Sequence, residues 1–298
     1  MSNLKYVLGP MRLPFLVLTP ACVLLGLGTA VWSSAQVSAL FFILALVGAI
    51  CAHISVNAFN EFLDFRSGLD FRTERTPFSG GSGTLREKPE LARQALGTAL
   101  IALAITSLIG LYFLRVRGLA LLPLGILGLL VIVAYTPWFA RHPLVCLVAP
   151  GLGFGPLMVM GTDFVLTGEY SWTAFIASLV PFFLVNDLLL LNQFPDVEAD
   201  QSVGRRHFPI VIGKRASSLI YGAFLAFAFL SIVLGVSLGQ LPRTSLIGLM
   251  ALAIAIPVSV GAYRYAEEMS KLMPYLGLNV VINIVTPVLV AVGLFVDR

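Results

Sequence analysis

Long runs of apolar residues alternate with short polar segments along most of this 298-residue chain. A transmembrane helix needs about 20 consecutive, mostly apolar residues. Runs of that length predict nine membrane-spanning helices, near residues 13–33, 37–60, 95–115, 118–138, 143–166, 172–194, 216–238, 243–263 and 274–296. The predicted fold class is therefore all-α, a multi-pass membrane bundle.

The composition excludes a soluble protein. The chain is 58% hydrophobic and only 11% charged, whereas soluble domains have about 25% charged residues. Cys22, Cys51 and Cys146 all lie inside apolar runs, as expected of free packing cysteines. The first apolar run is too long for a cleaved signal peptide and is followed by eight more. The sequence has no pattern of aromatic and basic residues that would indicate nucleic-acid binding.

The basic residues orient the bundle. With a cytoplasmic N-terminus, all but four of the 19 Lys and Arg residues, Lys5 among them, fall on the cytoplasmic side. The four on the other side are Arg115, Arg117, Arg243 and Arg298. This positive-inside bias predicts that the N-terminus and the charged loops are cytoplasmic. We expect the protein in a bacterial or archaeal cell membrane. The net charge also favours contact with anionic lipid.

A short polar pattern occurs twice, each time at the cytoplasmic end of a predicted span. Asn60–Asp64 is followed by Asp70, and 132 residues later Asn192–Asp196 is followed by Asp200. Each copy ends the second span of a group of four and precedes a long loop. We therefore predict one domain over residues 1–298, with two repeats at about 10–140 and 141–265 and the last helix, 274–296, outside them.

These carboxylates predict a metal site. Charged groups at a membrane boundary are costly and usually functional, and facing carboxylates repel unless a cation lies between them. Oxygen ligands suit a hard cation such as Mg²⁺, which keeps part of its shell for water and substrate phosphate. An isoprenyl diphosphate would explain the membrane location, because its tail belongs in lipid and its head at the interface.

The first motif belongs to a longer polar stripe. On a helix, His53, Asn57, Asn60 and Asp64 fall within about 60° of one another. Such a stripe must face the bundle interior or a water-filled cavity.

The two long loops add positive charge beside the motifs. The basic residues of these loops are interpreted either as cations that bind a diphosphate or as ordinary positive-inside anchors. They are Arg66, Arg72, Arg75, Arg205, Arg206, Lys214 and Arg215. The Gly-rich segment Pro77–Gly83 predicts either a backbone anion nest or a flexible hinge.

A family resemblance is carried by Asn60–Asp64 with Asp70, Arg75–Gly83, Gly153–Gly161, Asn192–Asp200, Gly204–Arg206 and Ile212–Gly213. On these residues the chain resembles the UbiA superfamily of intramembrane prenyltransferases, over roughly residues 10–295. Within it, the chain is most similar to the 1,4-dihydroxy-2-naphthoate prenyltransferases of menaquinone biosynthesis. Asp70 lies ten residues after Asn60, as in that branch, whereas 4-hydroxybenzoate enzymes usually have a spacing of eight. Glu61, Arg205 and His207 depart from the usual residues of the pattern.

The resemblance implies Mg²⁺-dependent transfer of a polyprenyl group from its diphosphate to a lipid-soluble, aromatic acceptor, a naphthoate-type quinone precursor. The Mg²⁺ ligands it implies are Asp64, Asp70, Asp196, Asp200, Asn60 and Asn192. The diphosphate-binding residues are Arg72, Arg75, Arg205, Arg206 and Asn57. Tyr135 would shield the allylic cation, or would be an interface aromatic.

Other interpretations stay open at this point. The acceptor could be a glycerol-ether lipid or a tocopherol precursor, or the prenyl chain could cyclise. A secondary transporter also has repeats and intramembrane carboxylates, but its sites lie near the midplane on broken helices. A non-catalytic scaffold would not need duplicated metal-type ligands. His53 is interpreted as a hydrogen-bonded interior residue rather than a base, and Asp187 as a residue with a structural partner.

Overall fold

A computed structural model describes residue 6 and residues 8–33 and 36–298. The described residues form helices and loops, with no strand. The long helical segments are α1 (Leu18–Ser33), α2 (Ala39–Ser67), α3 (Pro89–Arg117), α4 (Leu119–Ala134), α5 (Pro143–Thr167), α6 (Trp172–Asn192), α7 (Lys214–Ser237), α8 (Arg243–Arg264) and α9 (Met269–Val296). Lys5, one of the predicted cytoplasmic charges, lies outside the described residues.

The all-helical multi-pass bundle is confirmed, but the count of nine spans is not. Among the described residues, seven helices (α2, α3 and α5 to α9) are long and apolar enough to cross a membrane. The helix α1 reaches that length only together with the turns at Gly9–Phe15, from which it is bent by 54°. The apolar helix α4 is shorter than the other spans. Prolines at positions 10 and 14 explain the bend, because proline cannot continue a helical hydrogen-bond ladder.

The helix α2 extends further than predicted. It ends at Ser67 instead of near residue 60, and Gly68 terminates it with a left-handed φ of 78°. A glycine at this position is favourable because it has no Cβ to clash in the left-handed region. The first motif therefore lies on the last two turns of a regular helix.

The helix α6 is the most buried of the spans, and it packs against α1, α5, α7 and α9. Close approach to α5 depends on glycine, since a Cβ on Gly151 would lie 2.0 Å from the carbonyl oxygen of Phe182. Beyond it, α5 widens into a π-helical stretch over Gly153–Met160. Asn186 of α6 accepts a hydrogen bond of 2.6 Å from the Gly151 N–H. These contacts fix α6, whose C-terminal end carries the second motif.

Candidate active site

The two sequence motifs meet at one polar cavity of about 180 Å³. All six predicted metal ligands line it, namely Asn60, Asp64, Asp70, Asn192, Asp196 and Asp200. His53 and Asn57, the rest of the predicted stripe on α2, line it as well. Helices α2 and α6 thus bring together residues that lie far apart in the sequence.

On the first motif's side, Arg12 ties the N-terminal turns to α2. Its Nη2 donates a hydrogen bond of 2.8 Å to Asn60 Oδ1 and lies 3.2 Å from Glu61 Oε2. Glu61 is fully buried and also accepts hydrogen bonds of 3.0 and 3.1 Å from the backbone N–H of Ser82. Asn60 Nδ2 donates to Thr136 Oγ1 at 3.2 Å. The first motif is therefore held on several sides.

Arg205 joins the two motifs. Its Nη1 donates to Asp200 Oδ1 at 2.9 Å, and its Nη2 forms an ion pair with Asp64 Oδ1. Burial opposes the charge, but the two carboxylates outweigh it and raise the pKa of Arg205, so the guanidinium stays charged. The second oxygen of Asp200 lies 2.9 Å from His207 Nε2. One cation thus bridges carboxylates from both halves of the site.

Three oxygen atoms of the predicted ligands remain free. Asp70 Oδ2, Asn192 Oδ1 and Asp196 Oδ1 are buried and have no hydrogen-bond partner. Burial, together with the nearby charges of Glu61 and Asp64, raises the pKa of Asp70 to about 7. Burial and the charge of Asp200 raise the pKa of Asp196 to about 7. The positive charges of Arg12 and Arg205 near Asp70, and of Arg205 near Asp196, only partly offset these effects.

This donor set fits a hard cation, because unpartnered carboxylate and amide oxygens are the ligands that Mg²⁺ takes. Within the described part of the chain, however, no group of three His, Cys, Asp or Glu side chains is arranged to hold an ion by itself. An ion here would complete its shell with a ligand's oxygen atoms.

The Gly-rich loop approaches the cavity with its backbone. Gly80 and Gly81 line the cavity, and Gly81 has a left-handed φ of 68°. A Cβ on Gly81 would lie 3.0 Å from Glu61 Oε2 and 3.5 Å from Asp70 Oδ1. A side chain at that position would therefore enter the site. An anion nest in this loop stays a prediction.

The structure separates the predicted diphosphate-binding residues. Arg205 and Asn57 line the polar cavity, whereas Arg72, Arg75 and Arg206 are exposed and are not among its lining residues. Arg72 instead donates hydrogen bonds of 3.2 and 3.1 Å to the carbonyl and hydroxyl oxygens of Ser202. It therefore links the two long loops to each other. A role for these three residues in binding diphosphate stays a prediction.

A larger, apolar cavity of about 600 Å³ adjoins the polar one. The residues that line both cavities are Arg12, His53, Asn57, Asn60, Tyr135, Phe154 and Leu189. Leu111 and Ile126 belong to its wall and are also exposed on the outer face of the bundle. The apolar cavity therefore opens sideways, and Tyr135 lies at its junction with the polar cavity.

The sequence pattern of the UbiA prenyltransferase family matches residues 19–283. The chain belongs to this family. The matched residues include both motifs and the whole of helices α2 to α8, in agreement with the resemblance found in the sequence.

Several relatives and solved structures are similar to this UbiA family member. A 1,4-dihydroxy-2-naphthoate octaprenyltransferase of Bacillus subtilis (strain 168) is 26% identical over 207 residues, which cover 66% of this chain and 63% of that protein. The matches span about six tenths of the length of the first curated relatives. A UbiA homologue from Aeropyrum pernix K1 shares the fold, with a TM-score of 0.72 at 18% identity and coverage of 94% and 97% of the two chains. A UbiA homologue from Archaeoglobus fulgidus, solved with DMAPP and Mg²⁺, has a TM-score of 0.62 at 17% identity and coverage of 97% and 99%.

One charged residue of this UbiA site is not predicted by the motifs. Arg12 belongs to the cytoplasmic charges that orient the bundle, but it also lines both cavities. It has a left-handed φ of 51°, which is uncommon for a residue with a Cβ. The flanking prolines were a usable signal, because they break the first span and turn its polar residue inward. His53 accepts or donates a 2.8 Å hydrogen bond with Thr19 Oγ1, in agreement with its interpretation as a bonded interior residue.

Proposed function

We propose that this protein is a membrane-embedded prenyltransferase that moves a polyprenyl group from its diphosphate to a lipid-soluble acceptor. The observation that carries the proposal is the junction of a small polar cavity and a larger apolar cavity. Together they match an amphiphile with an anionic head and a long hydrocarbon tail. Membership of the UbiA family supports the same reaction class.

Mg²⁺ is the proposed cofactor. The unpartnered oxygens of Asp70, Asn192 and Asp196 support it, as does the homologue from Archaeoglobus fulgidus solved with DMAPP and Mg²⁺. Asp64, Asp200 and Asn60 complete the proposed set of ligands. When bound, Mg²⁺ stabilises the negative charge that develops on the leaving diphosphate.

The chain's own residues have separate tasks in this proposal. Arg205 neutralises the diphosphate as the C–O bond breaks, because its guanidinium already lies between the two motifs. Tyr135 presents its aromatic ring to the allylic cation at the junction of the cavities. The apolar walls exclude water, so that the cation alkylates the acceptor, which then loses a proton.

The acceptor is proposed to be an aromatic quinone precursor of the naphthoate type. Support comes from the name of the relative in Bacillus subtilis and from the ten-residue spacing between Asn60 and Asp70. The basic loops on one side of the bundle support a cell-membrane location with the site at the cytoplasmic face.

The test uses the purified full chain in detergent with Mg²⁺, a radiolabelled polyprenyl diphosphate and a panel of acceptors that includes 1,4-dihydroxy-2-naphthoate. Prenylated product and released diphosphate are both measured. Asp64→Ala and Asp196→Ala are expected to abolish both signals. Glu198→Gln is the matched control, since Glu198 is an exposed carboxylate in the same loop as Asp196.

Two results would contradict the proposal. Diphosphate release that survives both Asp substitutions would exclude the cavity as the reaction site. Absence of any product or release, with every acceptor and with folded protein, would exclude the reaction itself.

A further inference from the structure

A second cluster of polar side chains lies inside the bundle, apart from the candidate active site. Its members come from three helices: Asp187 of α6, Tyr221 of α7, and Asn279, Asn283 and Thr286 of α9. Each is at most 1% exposed, and none lines the polar or the apolar cavity. The active site therefore does not account for them.

Contacts connect the cluster. The hydroxyl of Tyr221 donates a hydrogen bond of 3.0 Å to Asn279 Oδ1, and Asn283 Nδ2 donates one of 3.0 Å to the carbonyl oxygen of Asn279. Asp187 is close enough to Tyr221 to act on it electrostatically. Asn279, Asn283 and Thr286 are spaced by four and three residues, so they share one face of α9. Helix α6 packs directly against both α7 and α9.

Several oxygen atoms of this cluster are free. Both carboxylate oxygens of Asp187, the side-chain oxygen of Asn283 and the hydroxyl of Thr286 are buried without a partner. The main-chain carbonyl oxygen of Asn283 is also free, because Pro287, four residues later, has no N–H to donate to it. The prediction of a structural partner for Asp187 is therefore wrong: among the described residues no side chain bonds it.

A buried carboxylate without a partner is costly, and it needs a counter-charge or a proton. The ion pairs found among the described residues give Asp187 no Lys, Arg or His. Carboxylate, amide, hydroxyl and carbonyl oxygens are ligands for a hard cation. One carboxylate balances one positive charge, whereas a divalent ion would leave an excess buried charge.

We propose that this cluster binds a single alkali-metal cation, such as Na⁺, with Asp187 as its charged ligand and the free oxygens of Asn283 and Thr286 beside it. The cation ties α6 to α9. Asp187 lies five residues before Asn192 on the same helix, so an occupied site also steadies the end of α6 that carries the second motif. The proposal does not depend on the proposed function.

Thermal unfolding of the purified full chain in detergent with EDTA tests this site. The Tm is measured against increasing NaCl or KCl, with choline chloride keeping the ionic strength constant. A bound ion stabilises the folded state in a saturable manner. As choline is replaced by Na⁺ or K⁺, we expect the Tm to rise and then level off.

The variants locate the site. Asp187→Asn should remove the cation response and raise the Tm in choline, because the unpaired charge is gone. Asp163→Asn should keep the response, since Asp163 is equally buried but is bonded by Thr29 at 2.8 Å and Ser171 at 3.0 Å. If Asp187→Asn does not fold, Thr286→Val serves instead, and it should raise the half-saturating cation concentration several-fold.

Two outcomes overturn the proposal. Equal Tm values in Na⁺, K⁺ and choline mean that Asp187 is held as a neutral acid among water molecules. A saturable response that persists in Asp187→Asn places the ion elsewhere. If Asp187→Asn does not fold, a response that is unaltered in Thr286→Val has the same meaning.

Discussion

The first and second Asn-x-x-x-Asp motifs have similar sequences, but the protein holds them differently. Asn60 and Asp64 lie on the continuous helix α2, and each has a polar or charged partner. Asn192 ends α6 and Asp196 follows in a turn, and both keep a buried oxygen atom without a partner. Asp200, about one turn beyond Asp196, is bonded on both of its oxygens.

The difference suggests separate tasks for the two halves. Asn60 and Asp64 of the first half already have polar or charged partners, so they form a fixed wall of the polar cavity, whereas Asp70 keeps a free oxygen atom. The second half combines a fixed end, Asp200, with free oxygens that a ligand can use. Arg205 couples the halves, and substitutions should therefore affect folding or activity according to which partner they remove.

Loss of the bridge should have the largest effect. Arg205→Gln leaves Asp64 and Asp200 buried without their cation, which is strongly destabilising. We expect prenyl transfer to fall by about 1000-fold or more and the Tm to fall with it. Arg205→Lys should be intermediate, because an ammonium group cannot reach two carboxylates as a planar guanidinium does.

Arg206→Gln is the informative comparison for this pair, measured by the same transfer assay and Tm. Its guanidinium is exposed, so we expect a much smaller loss and an unchanged Tm. Equal losses for Arg205 and Arg206 variants would contradict the bridge as the decisive contact.

Substitution of Asp196, in the second motif, should separate the effect on activity from the effect on stability. Asp196→Asn removes a charge that burial already disfavours, so the Tm should stay the same or rise. Transfer should fall by about 100-fold, as expected when one charge-stabilising group is lost. Asp64→Asn, measured in parallel, should lower both transfer and Tm. A Tm loss for Asp196→Asn as large as that for Asp64→Asn would break the distinction.

Proton competition should change the apparent Mg²⁺ affinity by about tenfold per pH unit below pH 7 for each carboxyl that must ionise. Asp70 and Asp196 have pKa values raised from 3.8 to about 7, and a bound cation needs the charged form. The half-saturating Mg²⁺ concentration should therefore fall as the pH rises from 6 to 7. In EDTA, without Mg²⁺, the stability of the folded state should change in the opposite direction with pH. A raised carboxyl pKa stabilises the fold at low pH, and this contribution is lost as the pH rises through 7.

The Mg²⁺ titration is followed by transfer activity and the stability by Tm, each over pH 5.5 to 8. Asp70→Asn should weaken both pH trends. A Tm in EDTA that rises through pH 7 would show that the nearby positive charges outweigh the effect of burial on these carboxyls.

The smallest effect is expected at His207. His207→Gln keeps a side-chain donor but loses the 2.9 Å contact of the ring with Asp200. Because the glutamine amide can retain part of this contact, we expect a net loss of about 1 kcal/mol, so transfer should fall about fivefold with little change in Tm. Steady-state kinetics check this. A loss as large as that of Arg205→Gln would mean that His207, not Arg205, fixes the second half.

The sequence was sufficient for the elements that depend on local pattern. Apolar runs predicted the bundle, and helical spacing placed His53, Asn57, Asn60 and Asp64 on one stripe, which the structure puts along one cavity. The repeated motifs predicted that distant helix ends meet.

Contacts set by tertiary packing could not be predicted in this way. Arg205 and Arg206 are adjacent and chemically identical, and only the fold of the second loop directs one inward and one outward. Arg12 enters the site because the turns at Gly9–Phe15 are bent away from α1. A hydropathy window averages over the whole span and does not detect such a bend. Asp187 has no partner because of how three helices pack, and no spacing rule describes that.

The side opening of the apolar cavity has a kinetic consequence. Because Leu111 and Ile126 form part of its wall at the outer face, a polyprenyl chain would enter and leave within the plane of the bilayer. The concentration that governs turnover would then be the mole fraction of substrate in the lipid. Adding inert lipid at constant total substrate would slow the reaction, as dilution does in two dimensions.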